Sequence, residues 1–287
     1  MKIGNIEFNL TTPHTYVMGI LNVTPDSFSD GGSFCNLDIA LTHVQQMIDE
    51  GADIIDVGGE STRPGYIKIP IEEEIERVCD VISVIKDHVD IPISIDTYKV
   101  KVAEAAIKAG ADMVNDIWGL RFDADEGVTD MARLVAESDV PVILMHNDDY
   151  SRNLSERVAP KYSEEEVLQR VLDGLGLSVA MAKRAGVRDD RIILDPGIGF
   201  AKTQRENMLM LRDLKKLVDA SSYPVLLAAS RKSVIGNALD LPVDQREEGT
   251  IATSVLAAET GCSFVRVHDV EKNVRAIRMY EAIRNIR

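Results

Sequence analysis

Eight short apolar runs recur along the chain, at 16–21, 53–57, 92–95, 112–114, 141–145, 191–194, 224–227 and 264–267. Their β-branched and aliphatic residues are the pattern of strands buried on both faces. Helical patterns lie between them. Ile71, Ile75, Val78, Ile82 and Ile85 step by four and three residues, which gathers one apolar stripe. Beside it, Glu72, Glu73, Glu74 and Glu76 read as a solvated face and as favourable charge at a helix N-terminus. Ser163 with Glu166 has the spacing of a capping box, and the stretch 146–190 leaves room for a loop and a full helix.

Strands alternating with helices indicate a parallel sheet, because parallel crossovers place a helix over the sheet. Eight such units in one chain predict a closed (β/α)8 TIM barrel occupying residues 1–287 as a single domain, an open doubly wound sheet being the alternative. Each apolar run stops in something polar: Asn22, Asp56, Asp96, Asn115 with Asp116, His146, Asp195, Ser230 to Lys232, and Arg266 with His268. In a barrel these positions meet at the C-terminal face around one ligand. A single polar strand end can be a turn former or a helix cap; eight in register point to a site.

Composition narrows the partners. With 32 Lys plus Arg against 47 Asp plus Glu the net charge is −15, which argues against a general nucleic-acid binder but leaves room for a local cationic site. Cys35, Cys79 and Cys262 are too few and too far apart for a disulfide framework or a zinc site, so a reducing cytoplasm is the expected setting. No apolar run approaches the roughly 20 residues of a membrane span, and no cleavable leader is expected.

The strand ends suggest chemistry. Asn22 can turn the backbone or offer a neutral oxygen to an oxyanion or hydrated metal, with Asp26, Ser27 and Asp30 shaping a lid. Thr62 and Arg63 can hold phosphate or carboxylate oxygens, and Pro64 with Gly65 fixes their turn. Strand alternation places Arg266 and His268 on one face, a candidate diphosphate site. Asp96, Asn115 and Asp195 can pair with the edge of a flat heterocycle such as a pterin or guanine-like ring, where Met145 can also cover the ring. Lys232 can hold a ring carbonyl or neutralise charge, and Phe200 offers an aromatic surface.

Assembled, these motifs closely resemble the dihydropteroate synthase family. The matching blocks are GILNVTPDSFSDGG at 19–32, GGESTRPG at 58–65, PISIDT at 92–97, VND at 114–116, MH at 145–146, LDPGIGF at 194–200, SRKSVIG at 230–236 and RVHDV at 266–270. The resemblance implies joining of 6-hydroxymethyl-7,8-dihydropterin diphosphate to p-aminobenzoate in an SN1-like alkyl transfer with Mg2+. It implies pterin binding by Asp96, Asn115, Asp195 and Lys232, and diphosphate binding by Asn22, Arg63, Arg266 and His268, with Asn22 at the metal. Thr62, Pro64, Phe200 and Ser230 would surround p-aminobenzoate. Asn22, Asp26, Arg63, Asp96, Lys232, Arg266 and His268 are expected to act in catalysis, and a homodimer is implied.

Two departures stand out: Ala201 and Ala228 replace frequent family glycines, and NDDYSRN at 147–153 lacks a methionine-rich continuation. A corrinoid methyltransferase of the same fold and a non-enzymatic pterin carrier are the alternatives. The cluster of Arg63, Arg266 and His268 argues against the first, and the apparent retention of the diphosphate and amine contacts argues against the second.

Overall fold

Each of the eight apolar runs becomes a parallel strand in a computed structural model that describes residues 1–23, 33–60, 68–122, 127–147 and 162–286, the side chains of 33–36 excepted. The strands are β3 (Tyr16–Asn22), β4 (Ile54–Gly58), β5 (Ile93–Asp96), β6 (Met113–Asp116), β7 (Val142–Met145), β8 (Ile192–Asp195), β9 (Leu226–Leu227) and β10 (Phe264–Val267). They pair in the order β8-β7-β6-β5-β4-β3-β10-β9, and a parallel bridge between Leu194 and Val225 joins the two ends into a (β/α)8 barrel. An antiparallel hairpin that the apolar pattern did not signal, β1 (Lys2–Ile3) with β2 (Ile6–Glu7), precedes them.

Period-two alternation sorts the strand residues. Val17, Ile55, Val57, Ile93, Ile95, Val114, Val142, Leu144, Val265 and Val267 join the large core between barrel and helices. Met18, Ile54, Met113, Ile143, Ile193, Leu226 and Phe264 form a separate inner cluster that includes Ile3 and Phe8 from the hairpin region. Full burial of such a side chain contributes about 1.5–3 kcal/mol. Two residues further along the same inner faces the side chains turn polar: Ile54 gives way to Asp56, Met113 to Asn115, Ile193 to Asp195 and Phe264 to Arg266. The barrel interior is therefore apolar below and charged above, and this change locates the site.

The described helices are α1 (Ser33–Asp49), α2 (Ile71–His88), α3 (Val100–Ala109), α4 (Asp130–Ser138), α5 (Glu164–Ala185), α6 (Gln204–Arg212), α7 (Leu214–Ala220), α8 (Ser233–Leu239), α9 (Glu247–Thr260) and α10 (Val270–Arg284). Helix α2 buries Val78, Ile82 and Ile85 as its spacing requires. Glu74 corrects the sequence reading: it is 1% exposed, accepts from the Thr97 hydroxyl at 2.9 Å and pairs with Lys99 at 2.6 Å. Its neighbours Glu72 and Glu73 stay on the outer side of that helix, where a solvated acidic face was expected. The Ser163 and Glu166 capping box starts α5, and a second one, Thr203 with Glu206, starts α6. Two helices rather than one follow β8, and two follow β9, so the last units of the barrel are longer than a simple strand-helix repeat. No described helix is long and apolar enough to cross a membrane.

Candidate active site at the C-terminal end of the barrel

Arg266 stands at the centre of the charged layer. Its inward position on β10 sends the guanidinium across the barrel, where Nε donates to Asp56 Oδ2 at 2.5 Å and Nη2 donates to Asp96 Oδ2 at 2.7 Å. Asn115 Nδ2 donates to the same Asp56 oxygen at 3.0 Å, and Asp96 is register-paired with Asn115 between β5 and β6. Burial opposes the charge on Arg266, but the carboxylates of Asp56 and Asp96 outweigh it and hold its pKa above the ordinary arginine value. Burial pushes the Asp96 carboxyl up to about 7 against the pull of Arg266, with Asp56 and Glu74 adding to the rise. Oδ1 of Asp56 and Oδ1 of Asp96 are both buried without a hydrogen-bond partner, so this layer carries acceptors ready for a polar ligand.

A second group forms at β8 and β9. Asp195, 3% exposed, accepts from the Gly197 amide at 2.7 Å, and burial raises its pKa while Lys232 opposes the rise. Gly197 has φ +69, and a Cβ there would lie 2.1 Å from the His146 carbonyl oxygen, so the bend after β8 requires glycine. Lys232 Nζ donates to the Ile198 carbonyl at 2.6 Å and lies 4.8 Å from the centre of the Phe200 ring. Burial pulls its ammonium down to about 8, against Asp195, which favours the charged form.

This bend is clamped from beneath. Lys202, 7% exposed, places Nζ 2.9 Å from His146 Nδ1, 3.0 Å from the Gly197 carbonyl and 3.2 Å from the Phe200 carbonyl. Burial holds the His146 imidazole well below its usual range, reinforced by the Lys202 charge, so Nδ1 accepts from the lysine. Ala201, between Phe200 and Lys202, sits at φ +46. That left-handed backbone is the physical reason a glycine suits the position, and the methyl group here carries strain. Ala228, by contrast, is 4% exposed within the inner apolar cluster, where its methyl group is part of the packing.

Ser230 and His268 meet at the neighbouring strand ends, with Ser230 Oγ 2.9 Å from His268 Nδ1 and accepting from the His268 amide at 3.2 Å. Although Arg266 and His268 are two residues apart, the arginine reaches the acids of β4 and β5 while the histidine turns to the serine after β9. Asn22 ends β3 opposite Gly58, and a Cβ on that glycine would lie 3.9 Å from Asn22 Oδ1 and 3.7 Å from Asp96 Cβ. Asn22 and Asp96 therefore border the same stretch of backbone. Asp26, Thr62, Arg63 and Pro64, together with Ser27, Asp30 and most of the 147–153 segment, lie outside the described residues.

Several groups at this end went unassigned in the sequence. Asp56 was visible as a strand end, and its position two residues after inward-facing Ile54 would have marked it for the pocket. Lys202 and Glu60 gave no such signal, because they lie in loops with no strand period and their partners His146, Tyr98 and Lys99 arrive from other units of the barrel. Glu60 accepts from the Tyr98 hydroxyl at 3.0 Å, from Lys99 at 2.7 Å and from the Ile69 amide at 2.9 Å, which ties together the described chain on both sides of 61–67. Tyr98, Ile117 and Met145 form a small apolar cluster beside the charged layer, flanked by Trp118, Phe122 and Phe200.

Carboxylates, an amide, a guanidinium and an ammonium from six different strands or strand ends, beside aromatic side chains, are the equipment of a barrel enzyme for a flat polar ring. The family model for pterin binding enzymes matches residues 18–268, and the chain belongs to that family. Dihydropteroate synthase of Clostridium beijerinckii is 52% identical over 284 residues, covering 99% of this chain and 99% of that protein. A crystal structure of the Clostridium difficile dihydropteroate synthase, obtained in the presence of pteroic acid, matches with a TM-score of 0.84 and 48% identity over 99% of this chain and 98% of that one. The Xanthomonas albilineans dihydropteroate synthase with 4-aminobenzoic acid matches with a TM-score of 0.85 and 38% identity, covering 96% of this chain and 94% of that one. Within the pterin-binding enzymes, the chain belongs to the dihydropteroate synthase family.

Proposed function

We propose that this chain, acting as one barrel domain over residues 1–287, joins 6-hydroxymethyl-7,8-dihydropterin diphosphate to p-aminobenzoate, giving 7,8-dihydropteroate and pyrophosphate. The observation that carries the reading is the charged layer, in which Asp56, Asp96 and Asn115 gather around Arg266 with two buried carboxylate oxygens lacking partners. Asp96 and the Asn115 oxygen supply acceptors for the N–H groups of the pterin, the Asn115 amide N–H supplies a donor for a ring acceptor, Asp195 adds a second carboxylate, and Lys232 supplies a donor for the ring carbonyl. Phe200, Ser230, Thr62 and Pro64 border p-aminobenzoate, the ligand named with the Xanthomonas albilineans relative.

The reaction needs no covalent enzyme nucleophile. The C–O bond between the pterin methylene and diphosphate breaks, the electron pair leaves with diphosphate, and the ring shares the positive charge left on the methylene. Arg63, Arg266 and His268 stabilise the departing charge, and Arg266 still has Nη1 outside its two bonds to the acids. The arylamine nitrogen then forms the C–N bond and releases a proton to water. Asp26 and the Thr62 segment would cover the reacting atoms and exclude water.

Magnesium fits the donor chemistry at Asn22. Among the described residues there is no group of three or more His, Cys, Asp or Glu side chains able to hold a metal. Asn22 offers a single neutral oxygen, and Mg2+ commonly takes one or two protein ligands and completes its shell with water and substrate phosphates. Bound there with the substrate, the ion would supply charge neutralisation on the diphosphate oxygens. A homodimer working in the cytoplasm completes the proposal. Incubation of the purified protein with pterin diphosphate, p-aminobenzoate and Mg2+ tests it directly. Equal amounts of pyrophosphate and dihydropteroate are expected; folded protein that makes neither defeats the reading.

A further inference from the structure

The turn carrying Ser230 and Lys232 and the turn carrying His268 belong to different strands. Between the two functional residues of the first turn lies Arg231, with φ +55, a conformation an L residue holds only when its surroundings enforce it. Three contacts do so. The Arg231 amide donates to Thr250 Oγ1 at 3.0 Å, its carbonyl accepts from Arg246 Nη1 at 3.1 Å, and its own Nε donates to Glu247 Oε2 at 3.1 Å. All three partners sit at the start of α9. Arg246 can lie across α8 because residue 236 is glycine: a Cβ there would meet the guanidinium at 2.3 Å.

The other oxygen of the same carboxylate points to the second turn. Glu247 Oε1 accepts from Asn273 Nδ2 at 2.8 Å, and that amide nitrogen also donates to the carbonyl of Asp269, the residue after His268, at 2.7 Å. Asn273 Oδ1 accepts from Ser254 Oγ at 2.7 Å, which fixes the orientation of the amide. Glu247 is 9% exposed and Asn273 is fully buried, so neither group exchanges these bonds freely with water. A carboxylate serving only as favourable charge at a helix N-terminus has no need to divide its oxygens between two site-bearing turns.

We infer that Glu247 is a positioning residue of the reaction: through Arg231 on one oxygen and Asn273 on the other, it holds the Ser230–Lys232 turn and the His268–Asp269 turn in register around the substrates. The inference rests on the proposed function, in which those turns contact both substrates. Small displacements of bound reactants or of the groups that align them reduce rate steeply.

The test uses the full chain and the two substrates with Mg2+. Arg231→Gln removes the ion pair from its partly exposed side, and Glu247→Gln removes it from the buried side. Each is expected to lower kcat about tenfold with KM changed less than threefold, in protein whose thermal unfolding shows it folded at the assay temperature. The double variant is expected to lose no more than the poorer single variant, because both changes break one contact. Arg231→Lys, which keeps a cation against Glu247, should recover at least half of the rate lost in Arg231→Gln. An Arg231→Gln protein within twofold of the parent in kcat overturns the inference, even if Glu247→Gln fails to fold. Losses that multiply in the double variant also overturn it. A parent protein that forms no dihydropteroate would instead defeat the functional reading, before any variant is compared.

Discussion

Arg266 Nη2 lies 2.7 Å from Asp96 Oδ2, so the guanidinium expected at the diphosphate is bonded to the acid expected at the pterin ring. In the proposed reaction one residue would thereby link the two halves of the substrate. The contact also places two carboxylates, Asp56 and Asp96, around a single cation in a poorly hydrated layer.

Replacing Arg266 with Met should therefore reduce both stability and binding. Removing one partner of a buried ion pair leaves uncompensated charge, and a loss of about 3 kcal/mol is expected at pH 8. At pH 6 protonation of Asp96, whose carboxyl is pushed up to about 7, relieves part of that cost, so the loss should shrink. Urea unfolding at the two pH values reads the difference; equal losses would show that the acids do not depend on the guanidinium.

The pH profile of kcat/KM for the pterin substrate should be bell-shaped. Asp96, held up at about 7, must ionise to accept from the ring, so activity rises with pH through that value. Lys232, held down at about 8, must keep its proton to donate, so activity falls above it. Asp96→Asn should abolish the acid limb and leave the basic one. If the Asn variant keeps an unshifted acid limb, the titration belongs to another group.

Stability has its own sign at Asp96. Its folded pKa, about 7, lies above the ordinary 3.8, so the folded chain binds more protons than the unfolded chain between those values. The contribution of this group to stability is then greatest below pH 4 and is lost as pH rises toward 7. Asp96→Asn should remove that dependence and flatten the urea midpoint between pH 5 and 7 relative to the parent protein. A parallel pH dependence in the two proteins would contradict it.

Ala201→Gly should stabilise the protein by about 1 kcal/mol, because a left-handed backbone at φ +46 costs an alanine more than a glycine. A higher urea midpoint is the expected result. An unchanged or lower midpoint would mean that the methyl contacts at this buried position outweigh the strain.

Lys202→Met should cost about 2 kcal/mol, since three hydrogen bonds from a charged donor are lost in a buried setting. Loosening of the Gly197 to Phe200 bend should raise KM for p-aminobenzoate more than KM for the pterin. Calorimetric unfolding and steady-state rates check the two halves; a variant altered in stability alone would confine Lys202 to holding the fold.

Much of this arrangement could be read from the chain because strand alternation is a local property. Asp96 follows Ser94 on one face, Asn115 follows Met113 and Asp195 follows Ile193, and each was recognisable as a polar end on an inward position. What the chain did not disclose was which end touches which. The reach of Arg266 to Asp56 depends on how the barrel closes, and the burial of Glu74 depends on Lys99 arriving from the start of α3. The β1–β2 hairpin escaped notice for a different reason: two-residue strands are too short to show a period.

That hairpin has a consequence for ligand traffic. Ile3 and Phe8 complete the inner apolar cluster with Phe264 and Tyr16 at the end of the barrel away from the charged layer. The barrel is thus a well with one rim rather than a tunnel. In the proposed reaction, substrates and products alike would pass over the one rim that carries the charged layer.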